Sequence, residues 1–304
     1  MTTGDPGNPG SPAVFFLSDY GAVDEFAGVV HAVVHRLAPG VPVIDLSHRI
    51  PRFDVGAGSA MLVRCAPHQG AGVVLAVVDP GVGSGRRGVA VETGRSPGSG
   101  PRWLVGPDNG LLVDLAAELG GAVRAVSLGA DPSTFDGRDV FAPAAAHLVT
   151  GGDPAILGTD IEPGSLETGS AHHPGAGPTE VDGPEGPELV ATVQWVDGFG
   201  NVQLDLGPDR LDEFGIRAGD TARVIVSTRP HHRVAARRVG AFAQLGASEL
   251  GLLVDANGRI ALVVDRASAA DRLAVTASQP GAGPEVRIAR SPPPGRRLER
   301  SVEA

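Results

Sequence analysis

Four short clusters in this chain place carboxylates and glycines together at the ends of apolar runs or the starts of helices. They are Ser18-Asp19-Tyr20-Gly21, Asp79-Pro80-Gly81-Val82-Gly83-Ser84, Gly106-Pro107-Asp108-Asn109-Gly110 and Thr134-Phe135-Asp136-Gly137-Arg138-Asp139. A carboxylate so placed can grip hydroxyl groups or accept a proton, and glycine lets backbone approach a ligand. Each cluster also has a structural reading. Asp24, and less readily Asp19, is placed to cap the helix that follows. Asp79-Pro80-Gly81 sets Pro and Gly where a type II turn wants them. Asp108-Asn109-Gly110 reads as a turn and helix cap. His31 and His35 have metal-ligand spacing on a helix, but no acidic partner completes the metalloprotease pattern, so no metal is expected. His172-His173 and His231-His232 fall in loop-like segments and read as solvated. Gly81-x-Gly83-x-Gly85 lacks the spacing of a dinucleotide fingerprint.

Open α/β sheets bind ligands beyond the carboxyl ends of their strands, so the elements before these clusters must be strands of one sheet. The pattern agrees. Val14–Leu17, Val41–Leu46, Val73–Val78 and residues 88–92 and 103–106 read as strands. Phe26, Val29, Val30, Val33, Val34 and Leu37 lie on one face of a helix that Pro39-Gly40 ends. Val55–Cys65 and residues 109–119 and 139–150 read as further helices. This alternation predicts an α/β layered domain with a central sheet at 13–168. Residues 169–187 carry almost no large apolar side chain and read as an interdomain linker. Beyond them come short β-rich segments, Leu189–Val196, Val202–Leu206, Ala222–Ser227, Leu250–Val254 and Ile260–Val264, which suit a smaller sandwich or barrel domain at 188–284 with little helix. Residues 1–12 and 285–304 read as disordered tails, and 94–101 as a surface loop.

Composition narrows the chemistry. The chain has 304 residues and a formal charge of −10, and all 25 basic side chains are arginine. Without lysine there is no Schiff-base or P-loop lysine. The acidic balance speaks against a nucleic-acid partner. The lone Cys65 cannot form an internal disulfide or a thiolate zinc site and suits a reducing compartment. The first residues do not read as a signal peptide, and no apolar run approaches the roughly 18–20 residues of a membrane span. A soluble cytoplasmic protein without membrane partners is the expectation.

Six strings now stand in order from about residue 14 to residue 270: LSDYGxxDEF, DLSHRIPRFDVGAG, VVDPGVGSGRR, VGPDNGLL, TFDGRDVFAPAAAHL and VDGFGNVQL. Together they resemble the S-adenosyl-L-methionine (SAM) hydrolases, also called SAM hydroxide adenosyltransferases, relatives of the fluorinating and chlorinating nucleoside enzymes. The resemblance implies an α/β domain joined to a β-barrel, and a homotrimer with SAM bound at subunit interfaces. It implies hydrolysis of SAM to adenosine and methionine without a cofactor. By the same resemblance Asp19 holds the ribose hydroxyls and Phe53 packs on the sugar. Asp79 faces the nucleophile where the halogenating relatives carry tyrosine, and Arg86 helps bind the water, with Arg87 as its structural neighbour. Asp136 stands where the family pattern TFHGRD has histidine; it either pairs with Arg86 and orients it or serves as a second base. Asp197, Phe199 and Asn201 match residues that contact the methionine moiety. Asn257, Asp265 and Arg266 fall in the adenine-contacting segment, and Phe242 is either a ring wall or barrel core. His48 and His147 read as structural hydrogen-bonding residues. A non-catalytic SAM or adenosine sensor and a SAM halogenase stand as alternatives. A moonlighting role for the arginine-bearing tail from Arg287 to Arg300 is a further one, set against a plain solvated end.

Overall fold

The computed structural model describes residues 11–94, 103–129, 133–168, 177–229, 233–276 and 283–291. The start of the expected N-terminal tail, the loop at 95–101, both histidine pairs and the tail beyond 291 lie outside these residues. The chain divides into two compact units, Met1–His172 and His173–Ala304.

Among its described residues the first unit has seven strands: β1 (Ala13–Ser18), β2 (Val43–Ser47), β3 (Gly72–Val77), β4 (Gly88–Thr93), β5 (Trp103–Pro107), β6 (Ala122–Leu128) and β7 (Gly158–Ile161). Their order is β2-β1-β3-β5-β4-β6-β7. The first four in that order are parallel, and β4, β6 and β7 extend the sheet antiparallel. Side chains alternate across it with the period of two that strands impose. Val14, Phe16, Val73, Leu75 and Val77 face one apolar layer with Val30 and Val34 of α1 (Phe26–Leu37) and Ala145 and Leu148 of α4 (Ala142–Val149). Phe15, Leu17, Val74, Ala76 and Val78 face the other, with Leu62 of α2 (Val55–Cys65) and Leu115 of α3 (Val113–Glu118). This is the layered α/β domain expected. β6 and β7 are additions; β7 offers only Ile161 as a large apolar side chain, too little for a hydrophobic pattern.

The second unit is a mainly antiparallel barrel with little helix. Its strands are β8 (Thr179–Gly183), β9 (Gly186–Val196), β10 (Val202–Leu204), β11 (Thr221–Val226), β12 (Arg233–Val239), β13 (Leu250–Val254), β14 (Ile260–Val264) and β15 (Glu285–Arg290). The ring β9-β10-β14-β13-β12-β11-β15 closes on itself because β15 also pairs with β9, and β8 adds to β9 outside the ring. β12 and β13 run parallel. Helices α5 (Pro208–Glu213) and α6 (Ala269–Leu273) contribute Leu211, Ala269 and Leu273 to the core.

Two expected boundaries are corrected. Thr179–Gly183 and Gly186 onward form a hairpin inside the segment expected to be linker. The ladder there is held by backbone groups while β8 keeps largely exposed side chains, so no apolar pattern announced it. Likewise Glu285–Arg290 belongs to the barrel rather than to a disordered tail. Val286 and Ile288 are buried between exposed Glu285 and Arg287, a short period-two alternation.

Candidate active site

β1 and β3 end side by side, and the backbone N–H of Asp19 donates to the carbonyl of Val77 at 3.3 Å. Asp19 and Asp79 therefore emerge from neighbouring strands at one edge of the sheet, where ligands of such folds bind. The chain then turns at Asp79-Pro80-Gly81, closed by Val82 N–H to the Asp79 carbonyl at 3.4 Å. It is not the type II turn expected, because the left-handed residue is Gly83 (φ 76°) and not Gly81. Ser84 holds the hairpin-like return: its hydroxyl donates to the Gly81 carbonyl at 2.7 Å and accepts from Arg86 N–H at 3.2 Å.

This return brings Arg86 back over Asp79. One guanidinium nitrogen, Nη2, donates both to Asp79 Oδ2 and to Asp136 Oδ2, the latter at 2.6 Å. Nη1 donates to the Arg87 carbonyl at 3.0 Å, and the guanidinium lies 5.4 Å from the centre of the buried Phe141 ring. Arg86 thus stands between two carboxylates that would otherwise repel. All three side chains are largely buried. Burial raises the Asp79 carboxyl above its ordinary range. Arg86 and the Gly81 N–H, which donates to Asp79 Oδ1 at 3.1 Å, pull the other way, and Asp136 adds a smaller upward push. Arg87 points elsewhere: it pairs with buried Asp108 through Nε at 2.9 Å and donates to the Ser165 carbonyl at 2.7 Å. Asp108 also accepts from Glu167 N–H at 2.8 Å, and Asn109 ties the same turn to the Val78 carbonyl at 2.9 Å. The Asp108-Asn109-Gly110 cluster is structural.

Asp136 is positioned by a wide helical turn, Gly137–Phe141, in which Ala142 N–H reaches back to the Gly137 carbonyl. Such turns are frequent at functional sites. The loop before it is fixed by Tyr20, Phe26 and Phe135, which meet with ring centres 5.1–5.7 Å apart. Sequence reading missed Tyr20. Its phenol is raised by burial first and then by Asp19, Asp79 and Asp136, so it senses all three carboxylates. A Cβ on Gly137 would collide with the Tyr20 hydroxyl, which is the physical requirement for glycine in the TFDGRD string.

Asp19 Oδ2 accepts from the backbone N–H of Phe53 at 2.9 Å, and burial raises its carboxyl. Phe53 is 64% exposed and left-handed at φ 65°, a strained conformation for a non-glycine residue. The residue before α1 is Glu25, which makes no side-chain cap, so neither Asp24 nor Asp19 serves that purpose. Asp54, which sequence reading did not single out, caps α2 through Ala57 N–H at 2.9 Å. His147 holds the Asp153 carbonyl at 2.9 Å, a structural contact as expected.

In the second unit a cavity of about 800 Å³ opens on β13 and β14. Its apolar floor is Leu253, Ala261 and Val263, which alternate with core-facing Leu252 and Leu262. Asp197, Phe199, Asn201, Phe242, Asp265 and Arg266 line it, together with Gln203 and Ser268, which sequence reading missed. Phe242 therefore belongs to the wall and not to the barrel core. Asn257 is not among the lining residues; its N–H donates to Asp255 Oδ1 at 2.8 Å within the β13–β14 turn. Asp197 organises its own loop, accepting from Phe199 N–H and Asn201 N–H, each at 2.9 Å, and from Asn201 Nδ2 at 2.8 Å. Gly200 (φ 81°) abuts Ser268, which leaves no space for a side chain there.

Residues 14–158 match the SAM hydroxide adenosyltransferase N-terminal domain, and residues 191–280 match the corresponding C-terminal domain. The chain is 40% identical to an (R)-S-adenosyl-L-methionine hydrolase from Salinispora tropica, over 88% of this chain and 95% of the relative. It is 25% identical to a fluorinase from Actinopolyspora mzabensis, over 71% of this chain and 78% of that one. The crystal structure of an uncharacterized conserved protein from Thermotoga maritima superposes with a TM-score of 0.75 at 28% identity, covering 91% of this chain and all of that one.

Proposed function

This chain belongs to the SAM hydroxide adenosyltransferase family, and on that footing we propose that it hydrolyses S-adenosyl-L-methionine to adenosine and L-methionine. Water attacks the ribose 5′ carbon in line with the sulfonium. The C5′–S bond breaks with its electron pair staying on sulfur, so methionine leaves as a neutral thioether and needs no general acid. The attacking oxygen forms the C5′–O bond, and its proton passes to ionised Asp79. Holding that oxygen in line can contribute roughly 7–11 kcal/mol. Asp79, Arg86 and Asp136 are the catalytic residues of this reading, with Asp136 orienting Arg86. Asp19 and Phe53 take the ribose, and Asp197, Phe199 and Asn201 take the methionine end. Phe242, Asp265 and Arg266 take the adenine end; Asn257 stands outside the cavity and drops from the set.

The observation that carries the reading is the pairing of buried Asp79 with Arg86 at the end of β3. A carboxylate there accepts a proton from water and repels halide, which favours hydrolysis over halogenation. The reaction calls for no cofactor, since the substrate supplies its own leaving group. We read the working form as a cytoplasmic homotrimer with sites at its subunit interfaces.

One assay tests the activity. Purified protein is incubated with SAM, and the products are separated with and without chloride or fluoride. Adenosine and methionine in halide-free buffer are expected. A halogenated nucleoside would overturn the assignment, and bound but unchanged SAM would favour the sensor reading suggested by Asp136. Asp79→Ala is expected to abolish adenosine release, a loss of at least about 10²–10⁴-fold. Full activity in that variant would sink the role given to Asp79.

A further inference from the structure

Two imidazoles and a carboxylate converge beside β2, across β1 from the turn after β3 that carries Asp79, on two elements and the turn after one of them. His31 comes from α1, Asp45 from the edge strand β2, and His48 from the residue after β2. His31 Nε2 lies 2.7 Å and His48 Nε2 3.1 Å from the same oxygen, Asp45 Oδ1. One ligand atom from each of the three residues lies within 4.8 Å of the others. The spacing noticed in the sequence, His31 with His35, is not what the fold uses; His35 is exposed and takes no part in the cluster.

The other ring nitrogen of His48 is also engaged. His48 Nδ1 lies 2.8 Å from Ser18 Oγ, and the same oxygen accepts from Tyr20 N–H at 3.3 Å. With Nδ1 protonated and donating to Ser18, the lone pair of His48 sits on Nε2 and faces the cluster. That Nε2 is buried and makes no hydrogen bond despite its 3.1 Å approach to Asp45. In that tautomer a buried acceptor faces a carboxylate, and a cation between the two resolves the contact; in the other, Nε2–H meets Asp45 directly, and metal binding separates the two arrangements. The rings are steadied by fully buried Phe16, whose centre is 4.6 Å from His48 and 6.0 Å from His31.

We propose that His31, Asp45 and His48 form a binding site for a divalent transition-metal ion of the zinc type. Two imidazole nitrogens and one carboxylate oxygen suit such a borderline ion, with water completing a tetrahedron. Ligand atoms about 2.0–2.2 Å from zinc stand about 3.3–3.6 Å apart in a tetrahedron, so the side chains need to open by less than about 1 Å. Ser18 supplies the outer hydrogen bond that metal-bound histidines usually have. The site is structural and separate from the chemistry at Asp79. It ties α1 to the segment that runs from His48, whose carbonyl accepts from Gly21 N–H at 2.7 Å, to Phe53 beside Asp19. An occupied site therefore stiffens the loop that carries Phe53.

The test uses the full chain without an affinity tag, stripped of metal and titrated with Zn²⁺ alone, then with Co²⁺. One equivalent of zinc is expected, with the visible ligand-field bands of tetrahedral cobalt and a raised melting temperature. His31→Ala and Asp45→Asn, both on partly exposed side chains, are expected to lose the bands and the equivalent. Ser18→Ala is expected to weaken affinity about 10–100-fold, and His35→Ala to change nothing. Absence of binding to the intact chain, or a full equivalent retained in His31→Ala and Asp45→Asn, would show a plain hydrogen-bonded cluster and overturn the proposal.

Discussion

Arg86 commits both hydrogens of one nitrogen to two different carboxylates, so the ionised trio carries one net negative charge in a largely buried place. Burial is the largest influence on Asp79, and it outweighs Arg86 enough to leave the carboxyl raised. A base works best when its affinity for protons approaches the operating range, and a raised carboxyl is closer to that than an ordinary one. The sign of the pH dependence follows. Protonated Asp79 cannot accept the proton of water, so kcat/KM is expected to fall on acidification, with its acid limb above the ordinary aspartate range. Asp136 contributes a push upward on Asp79 and shares its arginine. Asp136→Asn removes both effects, so the limb is expected to move to lower pH. A pH–rate profile of the two proteins checks this; a limb that stays in place or moves upward would separate Asp136 from Asp79. In the same series Asp136→His, which restores the residue of the TFHGRD pattern, is expected to keep or raise turnover.

At the scale of elements, what positions the trio is a set of close approaches that a hydrophobic pattern does not carry. β1 and β3 were legible because they are continuous buried apolar runs, and α1 because its apolar residues repeat at helical spacing. Asp19 and Asp79 were legible with them, as the first carboxylates beyond such strands. β8, β7 and β15 are polar or short, and their place is decided by backbone pairing with distant partners, so local reading put a linker at β8 and a tail at β15 and left β7 unread. The same holds inside the site. The aromatic group of Tyr20, Phe26 and Phe135 joins residues more than a hundred positions apart, and nothing local marks it. Its weak point is Gly137, whose missing side chain makes room for the Tyr20 hydroxyl next to Asp136. Gly137→Ala is expected to displace Tyr20 and the Asp136 turn together and lower kcat/KM about 10²-fold, the effect of a displacement near 1 Å. Circular dichroism should stay native, since the sheet does not depend on this residue. An unchanged rate would mean that the turn adjusts without moving Asp136.

At the scale of the whole molecule, the composition limits the chemistry, and on the proposed reading an assembly completes it. Without lysine, the fixed side-chain cations are all arginines, and Arg86 is held, largely buried, between two carboxylates. The acidic total is opposite in sign to a cationic sulfonium substrate, as attraction requires, and the single cysteine has a thiol pushed up by burial, unsuited to nucleophilic work. Hydrolysis by one oriented water, however, requires bulk water to be kept away. Each unit alone leaves a large aromatic of its candidate site in solvent: Phe53 is 64% exposed in the first and Phe199 84% exposed in the second. Rings that are to pack on a nucleoside or an amino acid need a cover, and further copies of the chain can supply one symmetrically. For the proposed trimer, light scattering is expected to give the mass of three chains, and dilution far enough to release single chains should abolish adenosine formation while leaving the fold intact. The two measurements must be made on one sample, because a closed interface also stabilises by mass action and could disguise unfolding as dissociation. A single chain that is folded by circular dichroism and still turns over at the full rate would remove the trimer from the mechanism.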